Sequence, residues 1–260
     1  MHIHIADAYH EAASPLHRLD ARVKVPVALA LILCISLAPT GVFGVYVAYF
    51  ALIMALAVLA RLEPGLVLRR SLVALPFAGA AAALIFTVPG QTLARVPLLS
   101  WAISVEGLLR FSSIVFKSLL AAQAAVLLLA VTRFTDTLWA LGELRMPRTL
   151  VGIVSFMLRY LFVLADEAGR MARAREARSA SLEDRQRRSI LFEARTTGRM
   201  IGALIVRSIE RSERVYNAML ARGYDGRSLA LDAPPLPVRD VIAGLGVTLA
   251  AAAILAVSLL

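Results

Sequence analysis

The chain has one cysteine and four histidines among 260 residues, and Lys24 and Lys117 are its two lysines. Each scarcity excludes something. A lone Cys34 inside an apolar run permits no disulfide framework and no cysteine-based metal site within one chain. All four histidines lie within residues 1–17, so no membrane helix carries a histidine pair. The loops G-x-x-x-x-G-K-[ST] and G-x-S-x-G, which cradle phosphate and present a nucleophilic serine, do not occur. Any ATP chemistry would therefore belong to a partner. No segment alternates apolar and polar residues over the ten positions of a membrane β-strand. Residues 1–22 hold His2, His4, Asp7, His10, Glu11 and Asp20 and no apolar signal-peptide core, so insertion is expected to use the first membrane helix.

What is present is apolar length. The chain is 59% hydrophobic, with a mean hydropathy of +0.74, where a soluble domain is roughly half apolar. In a bilayer the backbone must close its hydrogen bonds within a helix or a barrel. With barrel strands missing, the fold class is an all-α polytopic membrane protein. It has about five transmembrane helices plus three cytoplasmic or interfacial helices. Val25–Ala60 is too long for one span, since about 20 residues cross the hydrocarbon core. "PTG" at Pro39–Gly41 divides it into helices over 23–38 and 42–60. "RLEPGLVLRR" (Arg61–Arg70) reads as a basic loop, and Ser71–Val88 as a third span kinked at Pro76. Residues 89–106, with Pro89, Gly90 and Pro97, read as a loop. A fourth span over 107–131 carries Arg110 and Lys117. "TRFTDTLWALGELRMP" (Thr132–Pro147) reads as a short amphipathic helix, and the last span covers 239–260. The domains are then 1–131, a membrane region with four helices; 132–230, a cytoplasmic helical domain; and 231–260, a C-terminal transmembrane helix.

Net charge is +10, almost all of it arginine. Cytoplasmic loops of membrane proteins carry such an excess. With the spans above, Arg18, Arg22 and Lys24, then Arg61, Arg69 and Arg70, then Arg133, Arg145 and Arg148 share one side. Leu150–Ala165 is apolar, yet at 1.5 Å per residue it rises only about 24 Å. If it crossed, every arginine from Arg170 to Arg227 would lie outside, against the positive-inside pattern. Residues 149–179 therefore read as one long cytoplasmic helix with its apolar half buried at the interface or against a partner. The N-terminus lies inside and the C-terminus outside.

Arg188–Arg222 reads as a second long helix. Ile190, Ala194, Ile201, Leu204, Ile205, Ser208, Val215 and Met219 share about 100° of arc. Arg188, Arg195, Arg199, Arg207, Arg211 and Arg214 take the opposite side. Gly223 follows as a C′ glycine, the residue that ends helices most readily. Both long helices end alike: Ala177-Arg178-Ser179 and Ala221-Arg222-Gly223. A C-terminal arginine complements the helix dipole, an effect of tenths of a kcal/mol. The alternative is that two exposed arginines plug two equivalent sites on a partner. The guanidinium fork suits carboxylates and backbone carbonyls.

These residues resemble a family. "SPLHRLDARVKV" (Ser14–Val25), "LRYLFVLADEAGRMARAREARS" (Leu158–Ser179) and "ALIVRSIERSERVYNAMLARGYDG" (Ala203–Gly226) are similar to the transmembrane T component of energy-coupling-factor ABC transporters, and within it to the CbiQ-type cobalt/nickel branch. The family more usually has Pro where Ala21 stands, and Gly where Ser179 stands. The resemblance implies a coupling subunit that is not itself an enzyme. Ala177, Arg178, Ser179, Ala221, Arg222 and Gly223 would engage two cytoplasmic ATPase subunits, and those partners would hold ATP and Mg. Leu150, Ile153, Val154, Met157, Leu161, Ile201, Leu204 and Ile205 would cradle a membrane substrate-binding subunit. No cofactor or metal would bind this chain, and no nucleic acid. The setting would be the bacterial cytoplasmic (inner) membrane.

Lesser candidates are weighed beside these. His2 and His4 could share Co²⁺ or Ni²⁺, but ligands at i and i+2 need an extended strand and further donors. Lys117 is an intramembrane charge and so a functional candidate. Snorkelling, or pairing with Glu106, is the structural reading and is preferred. Arg159 with Asp166 or Glu167 reads as the polar edge of the first long helix. Two other functions compete with transport coupling. A membrane-anchored protein could bind anionic lipid or nucleic acid through its arginine face, but acids are interleaved there and aromatic stacking residues are scarce. A membrane enzyme finds no cluster of acids or histidines to support it.

Overall fold

A computed structural model describes residues 9, 10, 12, 14–83, 87, 92–96, 101–144, 146–179, 190–224 and 235–259. The chain divides into two compact units. One comprises Ala6–Leu144 with Ala233–Leu260, and the other centres on Arg145–Asp232. The break falls at Leu144/Arg145, so the short helix expected in the cytoplasmic domain groups with the bundle.

The first unit is a helical bundle. Its elements are α1 (Pro15–Arg18), α2 (Ala21–Leu37), α3 (Phe43–Leu59), α4 (Pro64–Ser71), α5 (Leu75–Ala80), α6 (Val105–Val131), α7 (Phe134–Glu143) and α10 (Val238–Leu259). Four of the five expected spans appear as helices close to their predicted bounds: α2, α3, α6 and α10. The third differs. "RLEPGLVLRR" is not a loop throughout, because α4 starts at Pro64, where the missing N–H costs nothing. Ser71–Val88 is not one helix: α4 passes into a 3₁₀ turn at Leu72–Ala74, then α5, then a second 3₁₀ turn at Ala81–Ala83. Pro76 accounts for the interruption, since it donates no hydrogen bond and its ring clashes with the preceding turn. The segment read as a loop holds an antiparallel pair, β1 (Thr92–Val96) and β2 (Trp101–Ser104), with Val96 opposite Trp101 and an irregularity between Thr92 and Ala94. Pro89, Gly90 and Pro97 lie outside the described residues.

The core is aliphatic with two tyrosines. Leu31 and Ile35 of α2, Tyr46, Tyr49 and Ile53 of α3, Leu120 and Ala124 of α6 and Ala251 of α10 form one buried cluster. Tyr49 is fully buried and its hydroxyl donates to the Ala251 carbonyl at 3.0 Å. A buried phenol away from water needs such a partner. Helices α2 and α10 start at the same end and pack closely. A Cβ added at Gly244 of α10 would stand 2.4 Å from Val23 Cγ1 of α2, so the contact needs glycine.

Helices α2 and α6 run antiparallel, and each lends its lysine to the other's end. Lys24 of α2 donates to the carbonyl of Val131, the last residue of α6, at 3.4 Å, and to the His17 carbonyl at 3.0 Å. Lys117 of α6 donates to the Ser36 carbonyl, near the end of α2, at 3.1 Å. The final carbonyls of a helix have no partner inside it and carry the negative end of its dipole. Lys117 thus reaches a helix end, through the Ser36 carbonyl.

The motif at residues 14–25 is a junction of elements. Ser14 Oγ lies 2.7 Å from His17 Nδ1, while His17 Nε2 lies 2.8 Å from the His10 carbonyl oxygen. Both ring nitrogens of His17 are therefore occupied. Asp20 caps α2, accepting from the Arg22 N–H at 2.9 Å, and its own N–H donates to the buried Asp240 carboxylate of α10 at 2.9 Å. The Arg22 guanidinium stacks 4.1 Å from the Trp139 ring of α7. Four elements are joined here by side chains that lie close in sequence. His2 and His4 lie outside the described residues.

Candidate functional site

The second unit is built on two 32-residue helices, α8 (Arg148–Ser179) and α9 (Ile190–Ala221). The first matches the helix expected over 149–179, and the second lies within the expected 188–222. Residues 180–189 and 225–230 lie outside the described residues, and with them Arg185, Arg187, Arg188 and Arg227.

The end of α9 is a complete glycine cap. The Gly223 N–H donates to the Leu220 carbonyl at 2.9 Å, and the Tyr224 N–H reaches back to Met219 at 3.0 Å. Gly223 has φ +83°, the left-handed region that glycine enters without a Cβ penalty. The pattern is the Schellman motif, with Arg222 as the C-cap residue. Arg222 is exposed, and so is Ala221. At the other helix end, Arg178 and Ala177 are also exposed; Ser179 closes α8, described for its backbone alone.

The separation of the two arginines follows from the helix pairing. Arg175 of α8 donates to Thr197 Oγ1 of α9 at 3.0 Å, and Arg207 of α9 donates to Glu167 of α8 at 3.0 Å. As the α9 partner moves up in sequence, the α8 partner moves down, so the helices run antiparallel where they meet. Arg178 shares a groove with Phe192 and Thr196. Helix α9 then continues to Ala221, which at 1.5 Å per residue leaves the two arginines about 40 Å apart. One pocket cannot receive both.

Glu167 is the centre of the pairing. Its carboxylate accepts from Arg170 on its own helix and from Arg207 Nη1 across it at 3.0 Å, with Arg211 Nη2 at 3.9 Å. The hydrogen bond from Arg170, followed by that from Arg207, holds the Glu167 carboxyl below the ordinary glutamate value, so it is ionised at neutral pH. Sequence reading placed Glu167 with Arg159 on a polar edge; the structure gives it three other arginines. Arg207 and Arg211, read as part of a free basic face, are engaged here, and Arg214 lies 3.9 Å from Glu210.

The packed stripe of α9 is also rotated from expectation. Its partly buried positions are Thr196, Met200, Leu204, Ser208, Arg211, Val215 and Met219. Ile190, Ala194, Ile201 and Ile205, placed on the same face by periodicity, are exposed. On α8, Leu150, Ile153, Met157 and Leu161 are exposed, and Val154 is half-buried. Both helices thus keep an apolar strip uncovered by this chain's own described residues. Thr149–Arg178, Val105–Val131 and Val238–Ser258 are each long and apolar enough to cross a membrane, and Phe43–Leu59 is a shorter apolar helix. Among the described residues no group of three His, Cys, Asp or Glu side chains is placed to hold a metal ion.

The CbiQ family model, described as cobalt transport protein, matches residues 12–231. The chain belongs to the CbiQ family. That match includes the residue 14–25 junction and both long helices. A CbiQ cobalt transport protein of Rhodobacter capsulatus is 34% identical over 121 residues, which is 46% of this chain and 47% of that one. A putative fused cobalt transport protein CbiMQ of Methanocorpusculum labreanum is 25% identical over 82% of this chain and 35% of its own length. An uncharacterized protein of Methanocaldococcus jannaschii is 24% identical over 90% of this chain and 80% of its own. This CbiQ-family chain is a membrane component of cobalt transport.

Proposed function

We propose that the chain is the transmembrane coupling subunit of an energy-coupling-factor importer for cobalt or nickel. Its two long helices carry ATP-driven motion from two cytoplasmic ATPase subunits to a membrane subunit that binds the ion. The observation that carries this reading is the pair of exposed arginines, Arg178 and Arg222, ending two antiparallel helices about 40 Å apart. That spacing suits two sockets on two separate subunits. ATP and Mg would sit on those subunits. The uncovered apolar residues Leu150, Ile153, Met157, Leu161, Ile201 and Ile205, with the half-buried Val154 and Leu204, supply the face for the ion-binding subunit. The fused CbiMQ relative supports a partner protein, since its name records a fusion and nearly two thirds of that chain lies beyond the matched part. The setting is the cytoplasmic membrane, with the coupling helices on the cytoplasmic side. The competing reading, an arginine face for lipid or nucleic acid, is weakened because Arg170, Arg207 and Arg214 each lie within ion-pair reach of a glutamate of this chain.

The test is co-purification with the ATPase subunits encoded for the same transporter. Arg178→Glu and Arg222→Glu should each weaken capture, and the double variant should lose it. Reversal of a desolvated arginine at such a contact costs about 2–5 kcal/mol. Capture of the double variant at wild-type level would remove the plug model and return both arginines to ordinary helix ends.

A further inference from the structure

We propose that Glu167 is a positioning residue that fixes the spacing of Arg178 and Arg222; its importance for transport rests on the coupling function above. The geometry singles it out. Both carboxylate oxygens are engaged, Oε1 by Arg207 and Oε2 by Arg170, with Arg211 at 3.9 Å from the latter. Its side chain is 16% exposed, while that of Arg207 is 60% exposed. The acid is thus shielded by arginines that themselves stay in contact with solvent. A second cross-helix polar contact is made by Arg175, which reaches Thr197 at 3.0 Å and Glu193 at 4.0 Å.

Position gives Glu167 its leverage. Arg178 follows Glu167 by about three helical turns, and Arg222 follows Arg207 by about four. The contact therefore lies near the midpoint of the path between the two arginines, with arms of similar length. A lone exposed ion pair would hold such a crossing weakly. Here one planar carboxylate is shared by guanidinium groups from both helices, which restricts rotation about the crossing as well as separation. Without the charge, the arginines on α9 lose their ionic partner at this point and keep at most a neutral amide acceptor, and the angle between the helices is set mainly by side-chain packing. The ends would then sample a wider range of separations. Docking of each arginine in its own socket would survive, but motion at one end would no longer define motion at the other.

The measurement is a spin-label distance in the full chain. Ala172→Cys and Ala218→Cys, both exposed positions that leave the Ala-Arg motifs intact, are labelled with nitroxide in a Cys34→Ser background in lipid nanodiscs. Pulsed dipolar spectroscopy should give a single narrow distance for the parent. Glu167→Gln, and independently Arg207→Gln, should shift and broaden it, and Glu167→Asp should restore the narrow peak. In the assembled transporter, Glu167→Gln should retain ATPase capture and lose ion uptake per ATP hydrolysed. An unchanged narrow peak in Glu167→Gln would overturn the proposal, as would an Asp variant as broad as Gln. If the parent chain captures no ATPase, the coupling function falls, while the distances still decide what Glu167 does.

Discussion

Single residues at helix ends obey one rule with two signs in this chain. Gly223 and Arg61 occupy the same place in the same motif. The Arg61 N–H donates to Val58 at 2.9 Å and the Leu62 N–H to Ala57 at 3.0 Å, repeating the cap of α9 at the end of α3. Gly223 has φ +83° and Arg61 φ +56°, a region that costs an L-residue about 1–2 kcal/mol. Nothing lies within 4 Å of a Cβ added at Gly223, so Gly223→Ala tests the backbone alone. It should cost about 1 kcal/mol, seen as roughly fivefold faster hydrogen exchange of the last-turn amides of α9. Arg61→Gly should move the other way, slowing exchange at the end of α3 by a similar factor, reduced by glycine's greater freedom in the unfolded chain. Gly223 was legible in the sequence because glycine after a helical period is a local signal. Arg61 was not, since an arginine announces no left-handed backbone.

At the scale of elements, what was legible is what hydropathy and capping write locally. The bounds of α6, α8, α9 and α10 follow from apolar length and from stop residues such as Gly223 and Pro147. What was not legible needed a partner distant in sequence. Lys117 meets Ser36 across 81 positions, and Arg207 meets Glu167 across 40; periodicity assigns each to a face but cannot say what covers it. The packed face of α9 was misplaced for the same reason. Ile201 and Leu204 are similarly apolar, and only the second is partly covered. Over α4, Pro64, Gly65 and two arginines suggest a turn, whereas Pro64 is the first helical residue. Gly244 shows a tighter dependence of one element on another. With Val23 Cγ1 at 2.4 Å and Val27 Cγ2 at 3.1 Å from an added Cβ, Gly244→Leu must push α10 off α2. Overpacking of this kind costs about 1–3 kcal/mol, and the Asp20–Asp240 contact at the adjacent helix ends should open with it. Thermal unfolding in detergent should show a lower midpoint for Gly244→Leu, while Gly246→Leu, where nothing lies within 4 Å, should leave it near the parent value.

For the whole molecule the decisive question is which side of the membrane α9 occupies, and two properties of α8 pull in opposite directions. By length and apolar character Thr149–Arg178 could cross. Its charge argues otherwise. From Asp166 onward it carries Glu167, Arg170, Arg173, Arg175, Glu176 and Arg178, and each charge at a bilayer centre costs about 2.5–3.5 kcal/mol. Only the first half is apolar, and it is too short to span. If α8 does not cross, the exposed Thr135 of α7 and the exposed Ser212 of α9 face the same compartment; if it crosses, they face opposite ones. Cysteines placed singly at these positions in a Cys34→Ser chain should therefore react alike with a membrane-impermeant maleimide. Both should be protected in intact cells and modified in inverted vesicles, and a cysteine at Ser258 should show the reverse. Opposite labelling of the two would make α8 a sixth span. It would also place Arg222 outside, beyond the reach of a cytoplasmic ATPase, so the same result would end the coupling model.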